Sequence, residues 1–140
     1  MDPERIESIK AGTVAAIAGI AITLVLIALN GAIAHHTSLF QQILPAIIIQ
    51  RLSTAAVCCF LFGVTYRYII RTDPNPHLRS GAVGAFALTR SLSQLESINF
   101  SEQVAILSLA VPVIESFGLF LAVRLLLDLG LKQRWLKPFT

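Results

Sequence analysis

Charged residues are what this sequence has least of. Asp, Glu, Lys and Arg make up 14% of its 140 residues, where a soluble domain carries about 25%. The shortage is not spread evenly: Ala11 to Ala34 runs for 24 residues without a charge. Hydrophobic residues reach 55%, and mean hydropathy is +0.73. That combination excludes an ordinary soluble core and points to a membrane-embedded chain. Outside the apolar runs no segment is long enough to bury a core of its own, so residues 1–140 read as a single transmembrane helical domain with no soluble enzyme part.

Other scarcities narrow the chemistry. The two cysteines, Cys58 and Cys59, are adjacent and lie in an apolar run. Neighbouring cysteines rarely meet the geometry of a normal bridge, and without a CxxC they read as small apolar filler. No Cys/His/Asp cluster offers a metal site. There is no G-x-S-x-G elbow, phosphate loop, HExxH or CxxCH, and the serines have no triad context. The expectation is a non-enzyme without cofactor. The formal charge is +3, but the basic residues flank apolar segments instead of alternating with aromatics. They suit anionic lipid headgroups and orientation, not nucleic acid.

What is present is a series of four apolar segments, expected as helices at about 11–34, 44–67, 78–96 and 103–129. A span needs roughly 20 residues. Met1–Lys10 mixes both charges, with Ile6 and Ile9 placed for one or two turns of interfacial helix. Gly12, Ala16 and Gly19 form a small-residue face on the first segment that lets a neighbouring helix approach. Ala32-Ile33-Ala34 matches a signal-peptidase pattern, but the acidic start and a run longer than the usual about 7–15 residues favour a retained span. Pro45 fits the first turn of the second helix. Tyr66, Arg67, Tyr68 and Arg71 resemble an interfacial anchor. Asp73-Pro74-Asn75-Pro76 is a strong stop. The third segment is small-residue rich and ends polar. The fourth contains Pro112 and Glu115, and Arg124 and Asp128 stand at i, i+4 as a local pair.

Orientation follows from charge. Lys and Arg gather at the N-terminus, after the second helix and at the C-terminus, while the 35–42 and 96–102 connectors have none. Four crossings put all three basic clusters on one face, with both termini cytoplasmic or stromal. Three crossings plus a surface or re-entrant third helix is the alternative.

Two charges then reach mid-membrane. Arg90 lies about 16 Å from the inner face and Glu115 about 18 Å from the outer, counting 1.5 Å per residue. Opposite in sign and on consecutive helices, they are expected to pair, because a lone charge in lipid is costly. The pair reads as structural; a path lined by Arg51, Arg90 and Glu115 is the functional alternative. Arg51, nearer the outer end, is placed to snorkel. His35 and His36 are candidates for cofactor ligation, weighed against a reading as interfacial caps.

From Thr65 to Arg90 the run TYRYIIRTDPNPHLRSGAVGAFALTR resembles an uncharacterised family of small integral membrane proteins from cyanobacteria and plant plastids. The likeness rests on Tyr66-Arg67-Tyr68, Asp73-Pro74-Asn75-Pro76 and Gly81 to Arg90, about a fifth of the chain. It implies a thylakoid or plasma-membrane setting and supplies no activity or site residues. The functional expectation is an accessory or assembly component that packs against other membrane proteins and lipid, with a small transporter or channel component as alternative.

Overall fold

The computed structural model describes residues 3–34, 45–70, 75–96 and 106–136. These form four helices: α1 (Pro3–Ala34), α2 (Pro45–Ile70), α3 (Pro76–Glu96) and α4 (Ile106–Lys132). Three of the four open on proline, which is pre-set for the first helical turn and has no N–H to leave unbonded there. At α1 and α3 the proline places the helix start ahead of the hydropathy edge. α1 begins at Pro3 instead of Ala11, so the mixed-charge N-terminus is part of the same helix. Its 32 residues make a rod about 48 Å long, against a hydrocarbon core of about 30 Å. α3 begins at Pro76, where Asn75 caps it by accepting the His77 amide through Oδ1 at 3.0 Å. Residues 103–105, expected in the fourth helix, lie outside the described residues.

Three helices carry windows long and apolar enough to cross a membrane: Glu4–Ala32, Ile47–Ile70 and Ala110–Lys132. They make the protein an all-α, membrane-embedded chain. α3 is the least apolar of the four helices and buries Arg90 and Ser91 among its inward residues.

α1 packs most extensively on α2 and α3 on α4; α1 also lies beside α4 and α2 beside α3, which closes a ring of four. The first pair is antiparallel and close. A Cβ placed on Gly63 would stand 2.6 Å from the Ala11 carbonyl oxygen and 2.6 Å from the Ala15 Cβ. Gly12 faces Phe60 and Val64, and Gly19 abuts Cys59. The small-residue face of α1 is therefore filled by α2 of the same chain.

The centre is aromatic. Phe62 stacks on Tyr66 at 5.3 Å between centroids and meets Phe86 of α3 at 5.4 Å and Phe120 of α4 at 5.2 Å. Such tilted and edge contacts favour the ring quadrupoles and tie three helices at one level. Pro112 stands inside α4, which stays α-helical through it. The C-terminal end of α4 is a Schellman-type cap: Arg134 adopts φ 58°, the Trp135 amide reaches back to Gly130 O at 3.0 Å, and Leu136 is buried.

Candidate functional site

Two polar clusters lie between the helices, one at each end of the bundle. At the end holding both the start of α1 and the close of α2, Arg67 is buried at 3% exposure. Its Nη1 donates to Ser8 Oγ at 2.6 Å and Glu4 O at 2.7 Å, and its Nη2 to Glu4 Oε2 at 2.5 Å. Beside it the Tyr66 hydroxyl donates to Asp128 at 2.8 Å, and Asp128 also meets Arg79 at 3.6 Å and Arg124 at 3.7 Å. The Arg124–Asp128 pair is the local i, i+4 contact that the spacing predicts. Tyr66 and Arg67 face inward, however, and do not form the expected exposed anchor. Helix rotation, fixed by Phe62 one turn earlier, turns them onto α1 and α4; Tyr68 is exposed, and Arg71 lies outside the described residues. This cluster ties α1, α2, α3 and α4 through hydrogen bonds and ion pairs and reads as a clamp, although Arg79 Nε and Arg124 Nε have no hydrogen-bond partner among the described residues.

The second cluster differs. All four helices contribute to one small cavity of about 10 Å³: Thr23 and Asn30 from α1, Arg51 from α2, Arg90 and Gln94 from α3, and Glu115 from α4, closed by aliphatic side chains. A space of that size holds on the order of one water-sized guest. Arg51, Arg90 and Glu115, each singled out by depth in the sequence, are thus brought together. Arg90 and Glu115 share the cavity but make no contact ion pair among the described residues. The Glu115 carboxylate instead accepts a hydrogen bond from the Asn30 side-chain amide, Nδ2 to Oε1. Arg90 stands among Arg51, Cys58, Cys59 and Glu115, all within electrostatic reach.

Arg90 is 8% exposed and Thr23 4%. Arg90 Nε and Nη1 and Thr23 Oγ1 are buried without a hydrogen-bond partner among the described residues. Native interiors pair the great majority of such atoms, so three in one place mark a site with spare donor capacity. Arg51 is exposed. Counting formal charge, the cavity has two guanidiniums against one carboxylate.

Asn30, like Thr23 and Gln94, is a member that the sequence reading missed. It is neutral, so a charge-based scan of Ala11–Ala34 passes over it. The available signal was an amide in a run otherwise apolar around it. Cys58 and Cys59 are free thiols, and Cys59 is filler against Gly19 as expected. His35 and His36 lie outside the described residues. Among the described residues no group of three His, Cys, Asp or Glu side chains could hold a metal ion. No protein-family model, curated protein or solved structure matches the chain.

Proposed function

We propose that this chain is a non-enzymatic accessory or assembly component that crosses its membrane four times and docks a neighbouring membrane helix on the outer face of α3. The observation that carries this reading is the row Gly81, Ala85, Thr89 and Ser93. These fall at successive i+4 positions, and all four are exposed. No atom lies within 4 Å of a Cβ placed on Gly81 or Gly84. Lipid tails gain little from a small, hydroxylated surface, whereas a second helix approaches closely along it. Gly12 and Gly19 of α1 are already covered by α2, which leaves the row on α3 as a small-residue face turned outward.

Four crossings are supported by the way α3 lies along α4. Its Arg79 meets Asp128 at one end, and its Gln94 lines the cavity with Glu115 toward the other. Its 21 residues extend about 32 Å, the thickness of the hydrocarbon core. Both termini then share the cytoplasmic or stromal face, and the resemblance to cyanobacterial and plastid proteins favours a thylakoid or plasma membrane.

Mild detergent extraction from native membranes followed by pull-down tests the docking. Gly81→Leu and Ala85→Leu are expected to lose the co-purifying membrane protein, while Ile17→Leu on the exposed face of α1 retains it. A partner that stays bound to both α3 variants, or a wild-type chain that elutes alone, would sink the proposal.

The transport reading draws its support from the gathering of Arg51, Arg90 and Glu115 around one cavity. The cavity's size, that of one small guest, favours a site over a continuous path. Liposome flux unchanged by Glu115→Gln would remove that reading.

A further inference from the structure

We infer that the cavity between the four helices is a binding site for one monatomic anion of the halide class, held by the Arg90 guanidinium and the Thr23 hydroxyl. Donors decide the sign. Arg90 Nε and Nη1 and Thr23 Oγ1 can each give a hydrogen bond, and none has an acceptor among the described residues. The acceptor nearest in kind, the Glu115 carboxylate, is engaged by Asn30 through Oε1.

Charge points the same way. Arg51 and Arg90 line the cavity with a single carboxylate; Arg51 is exposed, so the charge enclosed there is that of the buried Arg90, beside a carboxylate that Asn30 already engages. A buried ion is costly unless an opposite charge accompanies it. Water would satisfy the donors but leave the charge; an anion satisfies both. A cation would meet one carboxylate already hydrogen-bonded and two repelling guanidiniums. Size then selects within the anions. A space of about 10 Å³, on the order of one small guest, favours a monatomic anion over a bulkier tetrahedral oxyanion. The site is independent of the docking face on α3, because none of Gly81, Ala85, Thr89 and Ser93 lines it.

Chloride-35 line broadening on the purified full chain in detergent, against a sodium gluconate background, reads the site directly. Wild type is expected to broaden the signal above a detergent blank, with bromide competing and inorganic phosphate not. Thr23→Val, nearly isosteric, should weaken chloride by about tenfold, the loss of one hydrogen bond to a charged group. Glu115→Gln should strengthen it by about tenfold or more, because a repelling charge is removed. Arg90→Gln should abolish binding; if that variant does not fold, the Thr23 and Glu115 variants carry the test. Broadening no greater than the blank, weaker binding in Glu115→Gln, unchanged binding in Thr23→Val, or competition by phosphate equal to that by bromide would each overturn the proposal.

Discussion

The side-chain amide of Asn30, near the end of α1, donates to the carboxylate of Glu115 in the first half of α4. The two residues are 85 positions apart in the chain. Their hydrogen bond fastens the first helix to the last inside a largely apolar bundle, where an unsatisfied carboxylate would be penalised heavily.

Asn30→Leu removes that donor and is expected to lower unfolding free energy by about 1.5–3 kcal/mol, the range for a hydrogen bond to a charged group. A double-mutant cycle distinguishes the partners of Glu115. Coupling between positions 30 and 115 should exceed that between positions 90 and 115, since the first pair is in contact and the second shares only a cavity. The reverse order, measured by chemical unfolding in micelles, would refute this geometry.

The α1–α2 seam sets a second expectation. Gly63→Ala puts a methyl group into the space already held by Ala11 O and Ala15 Cβ. Backbone cannot yield as a flexible side chain can, so the cost should be about 1–3 kcal/mol. Gly84→Ala meets nothing and should be neutral or gain up to about 1 kcal/mol from helix propensity. Thermal unfolding of the two variants side by side checks the contrast; equal behaviour would contradict the close seam.

Arg67 tests the clamp at the other end. Its planar fork serves three acceptors on α1, a pattern that a lysine ammonium on its flexible stem does not reproduce. Arg67→Lys keeps the charge yet should cost about 1–2 kcal/mol through lost hydrogen bonds. Limited proteolysis should cut the N-terminal turns of α1 faster in this variant. No change in cleavage rate would argue that the clamp holds nothing.

Membrane-impermeant thiol labelling addresses the crossing of α3. In a background lacking Cys58 and Cys59, Ser80→Cys and Glu96→Cys should react from opposite sides of sealed vesicles. Both positions are exposed on the protein, so access depends on the membrane alone. Reaction from one side would assign α3 to the surface and leave three crossings.

Much of this was legible in the chain. Long uncharged runs give the three apolar spans because hydropathy is a sum over neighbours in sequence. Pro45 marks a helix start because φ restriction acts within one turn, whereas Asn75 and Pro76, read as part of a stop, also open α3; Arg124–Asp128 follows from the helical repeat. Residue counting also gives position along each helix, and Arg51, Arg90 and Glu115 do line one cavity. Depth is a coordinate along the helix axis only. Which side chain meets which across the bundle depends on rotation and tilt, and these come from packing: Phe62 against Phe86 and Phe120, and Gly63 against Ala11. That packing turned Tyr66 and Arg67 inward, gave Glu115 to Asn30, and left Arg90 beside the carboxylate without an ion pair. The sequence determined where charge sits along each helix; the tertiary structure decided its partners, because contact between helices is a matter of which face turns inward.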